Sequence, residues 1–310
     1  YINNHRVREE ILCCLNPRVR SIGRFIDSRC GGTEYYLDNI LVYKDLMAEE
    51  KLFADDFSEE KPYTAKNIVY TGMSGIGNPA PAAHLKKTAG SAPRLTQNIY
   101  PQVSSGVYVS EFDFMLPKTA NCGVFMECTD RPGSIDAYSL SVTGKKMYLN
   151  AFNSAGEHVS TVICNDVMEN KWYKISVTAD LSNRTVRAYI NNVRAAENVK
   201  CYINPNVGLI GRFIDSRCGS GEYYLDNINV YRDLVAEEID FDDVINPTGN
   251  VELPYLSKSK LSISWKSDNT GVINNDGTFV SIPDYTVNVK LTAAIRNATV
   301  FLTRDYIVHV

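Results

Sequence analysis

The chain holds 310 residues, enough for two or three domains with cores of their own. A net charge of −4, with lysines and arginines scattered rather than clustered, excludes the basic footprint expected of a partner for nucleic acid. No apolar run approaches the roughly 20 residues of a membrane span, and no Cys-x-x-Cys pair offers a start for a zinc knuckle.

Residues 1–50 return without a gap as residues 189–238. Ile22–Gly31 recurs as Ile210–Gly219, and roughly two-thirds of the aligned positions are identical, far above chance for a repeat. The second copy follows a long β-rich stretch that the first lacks. Residues 1–50 are therefore expected to be the C-terminal part of a truncated repeat. Alone they would leave Phe25, Ile26, Tyr35, Leu37, Ile40 and Val42 uncovered and strand edges unpaired. Two explanations stay open: self-association by strand exchange, with residues 1–50 taking the slot of residues 189–238, or missing strands that belong to a longer chain.

From residue 51 to 238 the pattern is of strands nearly throughout. Val107–Met115 alternates large apolar residues with smaller or polar ones, and Trp172–Thr178 and Val186–Ile190 flank a polar hairpin tip at Asp180–Arg184. Tyr223–Tyr231 closes the unit as an alternating strand, and no long amphipathic helix with capping signals intervenes. Many short strands separated by turns indicate a sandwich or jelly roll. The complete copy holds Cys122, Cys128, Cys164, Cys201 and Cys218, an odd number. A Cys201–Cys218 bridge and buried free thiols both stay open.

Beyond residue 239 the character changes. Asn246–Asn250 is a turn-rich joint, followed by short strands expected at Leu261–Trp265, Gly271–Ile273, Gly277–Val280, Val287–Ala293 and Tyr306–Val310. These suffice for a small Ig-like sandwich with Trp265 in its core.

The run Trp172-Tyr-Lys-Ile-Ser-Val-Thr-Ala-Asp-Leu181, then Tyr189-Ile-Asn-Asn192, then Tyr223-Tyr-Leu-Asp-Asn-Ile-Asn-Val-Tyr231 resembles the concanavalin A-like (laminin-G-like) jelly rolls. The tail, with Ile263-Ser-Trp-Lys-Ser-Asp-Asn269 and Val272-Ile-Asn-Asn-Asp-Gly-Thr278, is similar to the atrophied bacterial Ig-like domains. The expected fold is all-β: a concanavalin A-like jelly-roll sandwich over residues 51–238 and a small Ig-like β-sandwich over residues 239–310. The resemblance implies an extracellular setting, secreted or on a bacterial cell surface, in the company of polysaccharide-degrading enzymes.

Catalytic chemistry finds little support. None of His5, His84, His158 and His309 sits in a motif with a nucleophile, and no Gly-x-Ser-x-Gly elbow is present. Glu111 and Asp113 lie on one strand face, about 7 Å apart, but jelly-roll hydrolases carry Glu-x-Asp-x-x-Glu and the last position here is Leu116. No catalytic residue is assigned, and the pair is expected to form the polar face of a strand. Arg212, Asp215 and Arg217, repeated as Arg24, Asp27 and Arg29, are expected to form a structural ion-pair ladder.

In jelly rolls of this kind the first and last strands are often neighbours, and the resemblance implies a structural calcium between them. Asp55, Asp56 and Asp226 are the candidate ligands, since Ca²⁺ takes hard carboxylate and carbonyl oxygens. A sugar site needs aromatic platforms with polar groups for hydroxyls; Tyr138, Tyr148, Asn150 and Phe152, with Glu127 and Arg131 nearby, are the candidates. The leading expectation is a non-catalytic carbohydrate-binding region whose partner is a polysaccharide or glycan. Two alternatives stand beside it: a structural or adhesive array without a sugar site, and, disfavoured by the missing acid, a jelly-roll hydrolase or lyase.

Overall fold

A computed structural model of the chain describes residues 49–57, 64–73, 78–90, 93–118, 121–130, 135–196, 199–239, 241, 244–245, 247–296 and 301–310. Residues 1–48, including His5 and Arg24, Asp27 and Arg29, lie outside these, as does the strand-exchange expectation built on them.

The described residues are almost entirely β. In chain order the strands are β1 (Glu49–Asp55), β2 (Thr64–Lys66), β3 (Val69–Met73), β4 (Asn78–Lys86), β5 (Arg94–Gln97), β6 (Val107–Met115) and β7 (Gly123–Thr129). Then come β8 (Asp136–Thr143), β9 (Lys146–Phe152), β10 (His158–Cys164), β11 (Trp172–Asp180), β12 (Thr185–Ile190), β13 (Val193–Arg194) and β14 (Cys201–Tyr202). β15 (Arg212–Arg217) and β16 (Glu222–Asp233) complete one large antiparallel sheet, ordered β2-β5-β15-β7-β8-β9-β14-β12-β11-β6-β16-β4-β3. β1 adds to β16, so the first and last strands of this sheet are indeed neighbours.

The sheet curls so that its two halves share one core. Phe114 of β6 stacks on Phe125 of β7 at 4.3 Å, and Tyr108 of β6 on Phe213 of β15 at 4.8 Å. Full burial of side chains of this size contributes about 1.5–3 kcal/mol each. Alternation decides which residues join. In β9, Met147, Leu149 and Ala151 are buried while Lys146, Tyr148, Asn150 and Phe152 take the opposite parity. The β8–β9 hairpin turns through Gly144 at φ +61° between the paired Thr143 and Lys146, a backbone position that favours glycine in a two-residue loop.

α1 (Leu234–Glu238) follows β16 directly, capped by the Asp233 carboxylate, which accepts from Ala236 N at 2.8 Å. Its Val235, with Ile239, packs into a second core beside Ile263, Ile295 and Tyr306. The second sheet is ordered β17-β20-β19-β18, from β17 (Val244–Ile245), β18 (Ile263–Ser267), β19 (Asn288–Arg296) and β20 (Phe301–His309). Trp265 packs there, edge-on to Phe241 at 4.9 Å, its indole N–H donating to the Pro254 carbonyl. The strands expected at 271–273 and 277–280 shrink to one bridge between Ile273 and Phe279. The turns at Gly271 and Gly277 leave too little chain between them for a ladder.

A clamp joins the helix to the large sheet. Glu237 accepts from Val107 N at 2.9 Å and from Arg232 at 2.7 and 2.8 Å, and a Cβ on Gly106 would come within 2.6 Å of its Oε1. All five cysteines of residues 122–218 are free. Cys201 faces the Thr161 hydroxyl at 3.6 Å and Cys218 the Gly221 carbonyl at 3.1 Å, so the Cys201–Cys218 bridge is not formed. Among the described residues no helix is long and apolar enough to cross a membrane.

Candidate functional site

Pairing register builds one polar row across six strands. Thr96 of β5 stands opposite Asp215 of β15, which stands opposite Glu127 of β7. Glu127 faces Ser139 of β8, Ser139 faces Asn150 of β9, and Asn150 faces Ser160 of β10. Directly paired residues share a sheet face, so these six side chains lie in line on one side. Asn150 ties the row together: its Nδ2 donates to Ser141 at 2.9 Å and Ser139 at 3.3 Å, and its Oδ1 accepts from Ser160 at 2.8 Å.

Beside this row opens a cavity of about 290 Å³, lined by Asp136, Tyr138, Ser139, Asn150, Phe152, His158 and Asn204. Phe152 and His158 are cross-strand partners and meet edge-on at 5.6 Å, forming one wall. Asn204 holds the opposite side: its Nδ2 donates to the Asp136 carbonyl at 2.9 Å, and its own carbonyl accepts from Arg184. Among the described residues the Asp136 carboxylate accepts no hydrogen bond. Burial raises its pKa, the charge of Arg217 opposes that, and Asp215 adds to it. Glu127 is likewise raised, chiefly by burial and then by Asp136, against the pull of Arg217, whose Nη2 lies 3.4 Å away.

Three guanidinium groups converge on Asp215, which is wholly buried. Arg94 approaches it through Nε at 3.1 Å and Nη2 at 2.8 Å, Arg217 through Nε at 2.9 Å and also through Nη2, and Arg212 through Nη1. Arg212 is also held by Asn98 Oδ1, at 3.0 and 2.8 Å. Burial pushes the Asp215 carboxyl up, but the hydrogen bonds and charges of Arg217 and Arg94, with Arg212, bring it down to about 2. The expected ladder is thus a hub: three of the four residues share β15, and the fourth, Arg94, crosses from β5.

The structure brings Asn150, Phe152 and Tyr138 to one cavity and places Glu127 one strand away from it. Tyr138 is only 1% exposed, and burial lifts its phenol well above the usual range. It forms floor rather than platform. Tyr148 is half-buried, opposite Ser141 and Val162, and does not line the cavity. Arg131 lies outside the described residues. Sequence reasoning missed Asp136, Ser139 and Asn204 and read His158 as a bland strand residue; nothing in the local pattern marks them.

Elsewhere, Glu111 lies 3.8 Å from Lys174 and Asp113 accepts from Asn227 at 2.8 Å, a polar strand face on β6 away from the cavity. Asp55 and Asp226 are both buried on the paired β1 and β16, Asp55 opposite Ile228, while Asp56 is exposed. Asp55 accepts from Phe57 N at 2.9 Å and Asp226 from Asn227 N at 2.7 Å. Among the described residues no three His, Cys, Asp or Glu side chains gather as a metal cluster.

Residues 231–310 match the family model of the atrophied bacterial Ig domain. No curated protein matches the chain. Among solved structures the chain is similar to a sialidase, at 14% identity and a TM-score of 0.42, covering 59% of this chain and 18% of that one. It is similar to the binding domain of botulinum neurotoxin serotype G, at 14% identity and a TM-score of 0.39, covering 76% and 69%. A third is domain 4 of AbnA, an extracellular arabinanase from Geobacillus stearothermophilus solved with arabinotriose, at 16% identity and a TM-score of 0.34, covering 54% and 76%. The chain thus spans less than a fifth of the sialidase's length.

Proposed function

We propose that the large sandwich is a non-catalytic carbohydrate-binding module in an extracellular, multidomain bacterial protein, with the small Ig-like domain as its spacer. The observation that carries this reading is the cavity beside the six-strand polar row. An aromatic wall at Phe152 and His158 faces a carboxylate, hydroxyls and amides that are fixed in place before any ligand arrives. Sugar rings present an apolar face and a rim of hydroxyls, and such a site complements both. Among the described residues no Glu-x-Asp-x-x-Glu strand flanks the cavity, and Glu111 and Asp113 are engaged elsewhere.

A structural calcium at Asp55, Asp56 and Asp226 belongs to the same reading. Asp55 and Asp226 lie buried on paired strands, and carboxylates with main-chain carbonyls make an oxygen donor set that suits Ca²⁺. The ion would tie the opening strand to the closing one.

Affinity electrophoresis of the whole chain through gels holding plant and bacterial polysaccharides, with calcium and again with chelator, tests both parts. Retardation by at least one polymer supports the module. Migration unaffected by any of them, with the fold intact, sinks it. A melting temperature indifferent to the chelator removes the calcium.

The spacer reading has one observation of its own. The Glu237 clamp fixes the helix at the joint to the start of β6, which suits a rigid rod as well as a presented binding domain.

A further inference from the structure

We infer that the cavity takes a neutral sugar, bound through adjacent hydroxyls, and discriminates against uronic, sialic and sulfated units; this rests on the carbohydrate-binding reading above. Donors, acceptors and charges at the cavity decide the preference.

Acceptors are in surplus. The half-buried Asp136 carboxylate accepts no hydrogen bond among the described residues, and Glu127 has only the longer contact to Arg217. Most amide donors are already committed. Both N–H groups of Asn150 are spent on Ser139 and Ser141, and one of the two on Asn204 goes to the Asp136 carbonyl. A ligand that fits must therefore bring donors. Hydroxyls do, whereas carboxylates and sulfates bring acceptors alone.

Nearby cations do not reverse this. Arg94, Arg212 and Arg217 all point their guanidinium groups at Asp215, and Arg217 also serves Glu127. Among the described residues three arginines stand against the three carboxylates Asp215, Glu127 and Asp136, and each of those guanidinium groups is already engaged by Asp215. An ammonium fares no better, because the charge of Arg217 already reaches Asp136. His158 and the Ser139 hydroxyl, which only accepts from Asn150, stand at the cavity as further donors for a hydroxyl. Displacing Arg217 from Asp215 to free a donor would uncover a buried carboxylate, which is costly. The Phe152 ring supplies the apolar surface for the C–H face of the sugar.

The test titrates the whole chain by calorimetry with soluble arabinan, galactan and xylan, then with polygalacturonate and hyaluronate, then with chitosan. The expected result is saturable binding to at least one neutral polymer and at least tenfold weaker binding to the charged ones. Asp136→Ala should weaken the neutral binding by roughly ten- to a hundredfold, as for a lost hydrogen bond to a charged group. Asp136→Asn, which preserves shape, should weaken it less, and serves if the alanine variant fails to fold. Tighter binding to a polyuronate or to chitosan, or neutral binding indifferent to both variants, overturns the neutral-sugar inference while glycan binding stands. Saturation with none of these polymers overturns both.

Discussion

Arg94 and Asp215, 121 residues apart in the chain, form a two-point pair: Nε to Oδ1 at 3.1 Å and Nη2 to Oδ2 at 2.8 Å. Their strands, β5 and β15, are neighbours, and the carboxylate they share with Arg212 and Arg217 is wholly buried. This hub sits at one end of the polar row, and β7 lies between it and the cavity strand β8.

Removing the carboxylate leaves Arg212 buried and uncompensated, so Asp215→Asn should cost about 3–5 kcal/mol, read by urea unfolding. The pH dependence follows from the same pair. The Asp215 carboxyl is held at about 2 in the fold against an ordinary 3.8. Its contribution is therefore complete above the ordinary value and lost as pH falls toward about 2. Wild type should lose stability across that window, and the Asn variant should lose correspondingly less.

Asp136 carries the opposite sign. Its folded-state pKa is raised, so the fold is penalised as pH climbs through the ordinary carboxylate range and the carboxyl ionises. Arg217, Asp215 and His158 face it, and Glu127 shares its field. Asp136→Asn should melt at the same temperature as wild type or higher at pH 7, with the gap closing by pH 3. A melting temperature that falls at pH 7 would show the carboxylate to be a structural support rather than a site kept for a ligand.

At the joint, Gly106 has φ +102° and room for no Cβ, because Glu237 Oε1 would lie 2.6 Å away. Gly106→Ala should cost about 1–3 kcal/mol through backbone strain and overpacking. Limited proteolysis should then cut faster around α1, since Glu237 would be pushed off Val107 N and Arg232.

The thiols should be inert. Burial pushes Cys122 up to about 12 and Cys128 higher still, so thiolate is nearly absent at neutral pH. A thiol reagent followed by peptide mapping should leave both unlabelled in the native protein and label both in guanidine. Labelling in the native state would contradict the packing described.

The sequence exposes alternation but not outlook. In Lys146–Phe152 the two parities were legible, and the one that became the core is the one with Met147, Leu149 and Ala151. In β8 both parities are buried from Ala137 to Leu140, so the position of Tyr138 could not be deduced and its ring went into the floor. Asp136 stands at the start of β8, and Asn204 lies in the stretch between β14 and β15. They matter through a register and a loop closure that no local pattern encodes. The Arg212, Asp215 and Arg217 triplet was conspicuous on its own strand, but its shape as a hub needs Arg94 from more than a hundred residues away.

The most direct test of the account is to titrate wild-type chain and Phe152→Ala, side by side, with whichever neutral polysaccharide retards the protein most. Phe152 is half-exposed on the cavity wall, so its loss should spare the fold. Saturable binding by wild type, about tenfold weaker binding by the variant, and equal melting temperatures are expected. Equal affinity of the two proteins would place the sugar somewhere other than this cavity and contradict the central claim.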